Sequence, residues 1–311
     1  AESTAAAEPS AAAGGGSGTM VELPEVDPST VTGDFVAAGS STVFPLAERM
    51  VERFTEDGYA GNPVIESIGS GAGIERFCNA ETDIANASRA INEEETATCT
   101  AADREPLEFR VGTDALTIVV SAENDFIDDI TIEQLNQIYS GAVTTWDQVD
   151  PSFPAETIQV FSPGSDSGTF DYFAEVVFED DDEGPNKILQ TPGIQLSEDD
   201  NVLVQGVEGS PNAIGFFGYA YFQENQAGLK ALTVDGIEPN EETAESGDYP
   251  ISRPLFIYSA ASILAEKPQV ASFINYFLTN VGDEILDVGY FPASEEAINE
   301  AKQTLLDNSG S

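Results

Sequence analysis

Hydrophobic residues recur along the chain with two different spacings. Short runs rich in β-branched residues occupy positions 64–68, 116–120 and 157–161, and their length and composition predict strands. Between such runs, apolar residues three or four positions apart predict the buried faces of helices, as at Leu46/Met50/Phe54, Phe170/Phe173/Val177 and Val270/Phe273/Ile274/Phe277. Strand and helix patterns alternate throughout, so the sequence predicts an α/β fold.

Three short polar loops each stand between a predicted strand and a predicted helix. They are rich in Ser, Thr and Gly and occupy residues 39–45, 69–73 and 164–169. A helix N-terminus presents unpaired N–H groups and about half a positive charge, and glycine lets a ligand approach the backbone. Any one of these loops alone is better explained by ordinary N-capping and turn formation. Three of them in one chain favour an anion site built largely from neutral dipoles.

A fourth segment, residues 81–89, ends in Ser88 and Arg89. The chain has only seven arginines, so one that follows a serine in a stretch of small residues is a candidate for bidentate contact with an oxyanion. An ion pair between Arg89 and a nearby carboxylate explains the same residue equally well on chemical grounds.

Charge and composition narrow the range of functions. The 311 residues include 56 acidic and 11 basic side chains and no histidine, which gives a formal charge of −45. So few scattered cations cannot form a phosphate-neutralising surface, which excludes a general nucleic-acid binder. The lack of histidine excludes Ser-His-Asp and Cys-His catalysis and most zinc sites. The acidity favours a protein kept soluble in concentrated salt, as in a halophile, over an acidic secreted protein of a mesophile.

The N-terminal segment and the two cysteines indicate export. Residues 1–32 are rich in Ala, Gly, Ser and Pro and predict a flexible tether, and no apolar run reaches about 18 residues. We therefore expect a periplasmic or cell-surface protein, anchored through an N-terminal segment that has been removed. Cys78 and Cys99 predict a disulfide in an oxidising compartment, with two free buried thiols as the alternative.

Six segments of the chain resemble PstS-type periplasmic phosphate-binding proteins, the substrate-binding subunits of ABC transporters. The segments are residues 39–46, 76–91, 166–173, 197–206, 214–222 and 252–258, and they follow the family's order. The resemblance implies two α/β lobes around a ligand cleft, the type II periplasmic binding protein fold, with two chain crossings. We expect lobe I at residues 33–114 and 255–311, and lobe II at residues 115–254.

The resemblance also implies a phosphate site, without catalytic residues, metal or cofactor. The family's anion contacts correspond to Ser41, Thr42, Val43, Ser70, Ser167, Gly168 and Thr169, and Ser88 and Arg89 stand where its fourth contact segment lies; to these we add Asp166. The chain departs from the family's best-known branch, which has an aspartate at the position of Ser88 and an arginine at that of Pro163. We expect Arg89 to supply the missing cation. We expect Asp166 to supply the missing carboxylate, which would accept a proton from phosphate and repel sulfate.

The function expected from these residues is phosphate capture by a monomer that hands the anion to the membrane permease of an ABC importer. A receptor for another tetrahedral oxyanion, such as sulfate, is the first alternative. A phosphoester hydrolase on the same fold is a weaker one, because the sequence has no histidine and no evident two-metal carboxylate spacing.

Overall fold

Strands and helices alternate along the chain in a computed structural model, which describes residues 20–165, 167–179, 183–197 and 199–309. The strands are β1 Phe35–Gly39, β2 Pro63–Ser67, β3 Ile84–Ala87, β4 Leu107–Ser121, β5 Asp129–Ile130, β6 Gln159–Pro163, β7 Gln195–Ser197, β8 Ala213–Gly218, β9 Leu229–Ala231, β10 Thr233–Val234 and β11 Ser252–Ser259. The helices are α1 Val43–Glu56, α2 Ser70–Cys78, α3 Glu93–Ala101, α4 Ile132–Tyr139, α5 Trp146–Val149, α6 Gly168–Val177, α7 Gly184–Leu189, α8 Asp200–Glu208, α9 Tyr219–Glu224, α10 Glu241–Ser246, α11 Ala261–Glu266, α12 Pro268–Glu284 and α13 Glu295–Asn308. A short 3-10 helix, Pro28–Thr30, precedes β1.

The hydrophobic patterns correspond to these elements. The predicted strand at 116–120 lies in β4, those at 64–68 and 157–161 overlap β2 and β6 with ends shifted by one or two residues, and the predicted helical stripes lie in α1, α6 and α12. On α1 the stripe Leu46, Met50 and Phe54 is fully buried, because residues spaced by three or four positions share one helix face. Pro268 opens α12, where its missing N–H costs no hydrogen bond. The prediction of an α/β fold is confirmed.

One long sheet joins the two halves of the molecule. Its order is β2-β1-β3-β11-β4-β8-β6-β7, with β9 also paired to β4. The 15-residue β4 pairs antiparallel with β11 along its first half and with β8 along its second half. The chain therefore passes between the halves along β4 and β11, which are called the hinge strands below.

Two principal hydrophobic cores lie on either side of the hinge strands. The first contains Phe35, Phe54 and Phe273 and draws on residues before position 112 and after position 254. The second contains Trp146 and Phe173 and draws mainly on the intervening residues. A smaller cluster beside the second core covers the other face of β8. Because the cores are separate, the molecule has two lobes that the hinge strands connect.

The described part of the predicted tether, residues 20–32, is packed against the first lobe. Leu23 and Val26 contact the first core, and the Val21 N–H donates to the Asn299 side-chain oxygen at 2.8 Å. The prediction of a free tether is therefore wrong for this part, because a few apolar residues in an otherwise polar segment were enough to dock it. The preceding residues of the tether lie outside the described ranges.

The predicted disulfide between Cys78 and Cys99 is present. Cys78 ends α2 and Cys99 lies in α3, so the bond ties these two helices of the first lobe together. Closing a loop of this length stabilises a fold by about 3 kcal/mol in the chain-entropy view. Within the described residues, no helix combines the length and apolar character needed to cross a bilayer.

Candidate anion-binding site

The three polar loops meet at one pocket between the lobes. Its volume is about 220 Å³, below the roughly 300–1,000 Å³ typical of pockets for drug-sized molecules, so it suits a small ligand. The lining residues are Ser40, Ser41, Thr42, Gly69, Ser70, Ser88, Arg89, Gly168, Asp171, Tyr172, Glu175 and Arg253.

The first loop is fixed by its own hydrogen bonds at the start of α1. The Ser40 hydroxyl oxygen accepts from the Thr42 N–H at 3.1 Å and from the Val43 N–H at 3.3 Å. The Tyr290 hydroxyl donates to the Thr42 carbonyl at 2.8 Å, and burial raises the pKa of Tyr290, which keeps the phenol a neutral donor. Ser41 and Thr42 line the pocket, whereas the Val43 side chain lies fully buried in the first core.

The second loop reaches the pocket through a glycine. Gly69 has φ +86°, a conformation that favours glycine, and it directs the chain into α2, which begins at Ser70. The Ser70 hydroxyl oxygen lies 3.2 Å from the Ser88 hydroxyl oxygen and accepts from the Ser88 N–H at 3.2 Å. The start of α2 and the end of β3 therefore present two linked hydroxyl groups to the pocket.

The third loop brings the start of α6 from the opposite lobe. The Ser167 hydroxyl oxygen caps α6 by accepting from the Thr169 N–H at 3.2 Å. A methyl group added at Gly168 would lie 3.7 Å from the Ser41 carbonyl oxygen, so the first and third loops approach each other across the cleft. Of these residues only Gly168 and Ser41 line the pocket.

The ten residues predicted as anion contacts thus divide into three groups. Six line the pocket: Ser41, Thr42, Ser70, Ser88, Arg89 and Gly168. Three neighbour it without lining it: Val43, Ser167 and Thr169. The remaining residue, Asp166, lies outside the described residues.

Arg89 forms the ion pair that the sequence left open as the alternative. Its Nη2 lies 2.7 Å from Oε1 of Glu95, and its Nη1 lies 2.9 Å from Oε2 of the same carboxylate. The hydrogen bonds from Arg89 lower the pKa of Glu95, and the Arg89 side chain is 44% exposed. Two of the guanidinium nitrogens are therefore already engaged at a solvent-accessible position.

Arg253 on β11 is a second arginine of the pocket, one that the sequence reasoning missed. Its side chain is only 10% exposed, its Nε donates to Oδ2 of Asp114 at 3.1 Å, and its guanidinium carbon lies 3.5 Å from the centre of the Tyr172 ring. Burial raises the pKa of Asp114, and the charge of Arg253 opposes that rise. The Arg253 Nη2 is buried and has no hydrogen-bond partner among the described residues.

Asp114 and Tyr172 hold the Arg253 guanidinium in one orientation while leaving one nitrogen unused. A buried donor without a partner is costly, so a ligand that accepts from Nη2 gains that missing interaction. The sequence signal for this residue was weak. Arg253 and Asp114 are 139 positions apart and meet only through the pairing of the hinge strands. The available signal was its place in the last of the six resembling segments, next to the lobe boundary expected between residues 254 and 255.

Comparisons with known proteins agree with this geometry. A model of the PBP superfamily domain matches residues 10–281. SphX of Synechocystis sp. is 38% identical over 288 residues, which cover 88% of this chain and 83% of that protein. The phosphate-binding protein PstS of Staphylococcus saprophyticus is 34% identical over 280 residues, which cover 88% of this chain and 85% of PstS. The chain belongs to the PstS-type family of phosphate-binding proteins.

Solved structures show the same two-lobed architecture as this PstS-type chain. A possible phosphate-binding protein of Planctomyces limnophilus has a TM-score of 0.82 and 36% identity, and the match covers 90% of this chain and all of that one. A substrate-binding protein of Clostridium perfringens, solved with bound phosphate, has a TM-score of 0.55 and 27% identity, with 84% of this chain covered. The periplasmic binding protein fold expected from the sequence is therefore confirmed.

Proposed function

We propose that this chain binds inorganic phosphate in the pocket between its lobes and delivers it to the permease of an ABC importer. The observation that carries the proposal is that Arg253, whose buried Nη2 has no partner among the described residues, lines a pocket where three helix N-termini converge. Helix N-termini, hydroxyl groups and a guanidinium are the donors that an oxyanion needs. The names of the PstS relatives support phosphate as that oxyanion.

The proposed site differs from the sequence prediction in its cation. Arg253 takes the place assigned to Arg89, because Arg89 gives both Nη atoms to Glu95, whereas Arg253 pairs with Asp114 through Nε and its Nη2 has no partner among the described residues. Ser70, Ser88 and the backbone at Gly168 supply neutral donors, together with Ser41 and Thr42. Anion contacts from Val43, Ser167 and Thr169 remain predictions, as does the role of Asp166 as a proton acceptor.

Binding would close the cleft. Ser41 and Ser70 belong to the first lobe, Gly168 to the second, and Arg253 to a hinge strand. An anion held by all of them interacts more strongly with the closed arrangement than with the open one, so it shifts the equilibrium towards closure. The proposed function is therefore binding and release without catalysis, in a monomer that needs no cofactor.

Sulfate is less suited to this pocket than phosphate. The carboxylates of Asp171 and Glu175 line the pocket, and they repel an anion that has no proton to donate. A hydrolase is also less suited, since the chain has no histidine and the described residues include no cluster of three or more side chains that could hold a catalytic metal ion.

The acidic composition supports a protein that works in concentrated salt, and the disulfide supports a location outside the cytoplasm. A formal charge of −45 would repel an approaching anion at low ionic strength, whereas the Debye length is only about 3 Å at 1 M salt. The Cys78–Cys99 disulfide, for its part, requires an oxidising compartment. Both features support an exported protein of a halophile, in the periplasm or at the cell surface.

Calorimetry tests the proposed function. Protein freed of bound ligand by unfolding and refolding is titrated with phosphate and with sulfate in concentrated salt. We expect tight binding of phosphate and at least about 100-fold weaker binding of sulfate, because only phosphate can donate a proton to the pocket carboxylates. Absence of any phosphate binding by correctly refolded protein would refute the proposal.

A further inference from the structure

A short segment after α12 links the two lobes in addition to the hinge strands. Residues 288–294 lie between α12 and α13 of the first lobe, and they are called the inter-lobe strap below. The Tyr290 side chain packs against the first core. The side chain of the next residue, Phe291, lies within the second core, with its ring centre 4.5 Å from that of Tyr219. Two consecutive residues of the strap are therefore fixed to different lobes.

The strap also pairs with the hinge strand β4. The Phe291 N–H donates to the Thr113 carbonyl at 2.8 Å, and the Thr113 N–H donates to the Phe291 carbonyl at 2.9 Å. This close approach requires a glycine at position 112, since a methyl group added there would clash with Ile285 and would lie 3.0 Å from the Phe291 carbonyl oxygen. A rotation of the lobes about the hinge strands therefore acts directly on the strap.

Glu245 of α10 holds the end of the strap from the second lobe. Its Oε1 accepts from the Ser294 N–H at 3.0 Å, and its Oε2 accepts from Nη2 of Arg110 on β4 at 2.7 Å. The Glu245 side chain is only 17% exposed, so solvent screens these contacts weakly. Its helix packs on the second core through Ala244. One carboxylate thus joins the second lobe to both the strap and a hinge strand.

Tyr290 connects the strap to the first anion loop. Its hydroxyl donates to the Thr42 carbonyl at 2.8 Å. That carbonyl and the Val43 N–H belong to one planar peptide and point in opposite directions. Val43 is the first residue of α1, so a contact that fixes the Thr42 carbonyl also fixes the direction of an N–H at this helix N-terminus.

We propose that the inter-lobe strap couples closure of the lobes to the first anion loop, with Tyr290 as a positioning residue. The inference rests on the proposed function and specifies how the pocket is set for the anion. When the second lobe closes, Phe291 and Ser294 follow it, and the Tyr290 hydroxyl is brought to the place where it holds the Thr42–Val43 peptide. Opening draws the hydroxyl away from the Thr42 carbonyl, so the closed form binds the anion more tightly.

Removal of the Tyr290 hydroxyl tests the inference. Tyr290→Phe keeps the ring in place, and we expect phosphate affinity to fall by about threefold to tenfold, the range of one hydrogen bond. Because the contact acts in the closed form, the dissociation rate should rise by this factor while the association rate changes by less than about twofold. Calorimetry gives the affinity and stopped-flow measurements give the rates. A role in packing alone would lower the unfolding temperature without changing the dissociation rate.

Tyr276→Phe is the matched control. Tyr276 also lies in the first lobe, and its hydroxyl contacts Asp57 away from the pocket and the strap. Its phosphate affinity and both rates should match those of the unmodified chain. A loss as large as that of Tyr290→Phe would contradict a specific role for Tyr290.

A double-mutant cycle tests the link to the second lobe. Glu245→Gln leaves one acceptor oxygen where the carboxylate has two, so the side chain no longer accepts from both Ser294 and Arg110. With the strap loosened in this way, Tyr290→Phe should weaken phosphate binding by less than about twofold further. Residues that act independently would instead give additive effects. Thermal unfolding checks that every variant folds.

The outcomes separate this inference from the proposed function. Unchanged phosphate affinity in Tyr290→Phe would overturn the positioning role and leave phosphate binding intact. Additive effects of Tyr290→Phe and Glu245→Gln on affinity would overturn the coupling through the strap. No phosphate binding by the unmodified, correctly refolded chain would instead refute the proposed function on which the inference rests.

Discussion

The end of β3 and the hinge strand β11 each bring one arginine to the same pocket. The two arginines differ in how many of their nitrogens already have hydrogen-bond partners. Arg89, after β3, is 44% exposed and gives two nitrogens to Glu95. Arg253, on β11, is 10% exposed, is held through Nε by Asp114, and keeps a buried nitrogen that has no partner in the described part of the chain. Arg89 follows the serine of its segment but has its donors engaged, whereas the proposed anion-binding cation, Arg253, is the one whose Nη2 has no partner among the described residues.

Removal of Arg253 should weaken phosphate binding far more than removal of Arg89, and this is the largest effect we expect. Arg253→Gln alone leaves the buried Asp114 carboxylate unpaired, which costs about 3–5 kcal/mol of folding stability, so it is combined with Asp114→Asn. This double variant should weaken phosphate binding by about 100-fold or more, since a desolvated charge-assisted contact is lost. Its matched control, Arg89→Gln with Glu95→Gln, should weaken binding by less than about tenfold. Calorimetry measures both.

The reverse ranking would contradict the comparison. If the Arg89/Glu95 variant lost binding and the Arg253/Asp114 variant kept it, Arg89 would be the cation, as the sequence alone suggested. Thermal unfolding of each double variant excludes a loss of binding through misfolding.

The neutral donors should each contribute less than Arg253. Ser70→Ala removes a hydroxyl that faces the pocket and accepts the Ser88 N–H, so we expect about a tenfold loss of phosphate affinity, in the range of one neutral hydrogen bond. Ser152→Ala is the control, because the Ser152 hydroxyl donates to Asp150 at an exposed turn far from the pocket. A larger loss for Ser70→Ala than for the Arg253/Asp114 variant would show that dipoles, not the cation, dominate the site.

Salt should change the association rate of phosphate more than it changes the strength of the contacts phosphate makes in the pocket. The acidic surface repels an anion at long range, and salt screens exposed charges while the pocket contacts act over a few ångströms. We therefore expect the association rate to rise by up to about tenfold from low to concentrated salt. If stopped-flow measurements show instead that the association rate falls with salt, the view that the acidic surface slows approach while the pocket groups bind the anion would be refuted.

Loss of the disulfide should change phosphate affinity least of all. Cys78 and Cys99 join α2 and α3, on the Arg89 side of the pocket, and leave the hinge strands untouched. The Cys78→Ser/Cys99→Ser variant should lose about 3 kcal/mol of unfolding free energy, as chain-entropy arguments predict. Its phosphate affinity, measured where it is still folded, should stay within about twofold of the unmodified chain. A large loss of phosphate affinity would indicate that binding depends mainly on the Arg89 side of the pocket.

Local chemistry in the sequence predicted much of the fold and part of the pocket. The stripes on α1, α6 and α12 were readable because helix periodicity is local. Ser41, Ser70 and Gly168 were found because each stands where a strand passes through a polar loop into a helix. The lobe boundaries inferred from the resemblance, and the role of Asp166, remain predictions.

The remaining parts of the pocket depend on distant residues. The Arg253–Asp114 contact joins residues 139 positions apart, and no pattern along the chain marks an arginine whose Nη2 will lack a partner within the described ranges. In the sequence, Asp171 cannot be told from any other acidic residue in the first turn of a helix. Only the packing of the two lobes places it in the pocket with the three polar loops. The docking of residues 20–32 likewise depends on contacts with α12 and α13 that only the tertiary structure creates.

A crystal structure of the protein with phosphate tests the central claim most directly. We predict a phosphate between the lobes, with one oxygen about 2.7–3.2 Å from Nη2 of Arg253 and others within reach of Ser70 and the backbone at Gly168. Arg89 should remain paired with Glu95. A phosphate held by Arg89 after its release from Glu95, with Arg253 Nη2 still without a partner, would contradict the account.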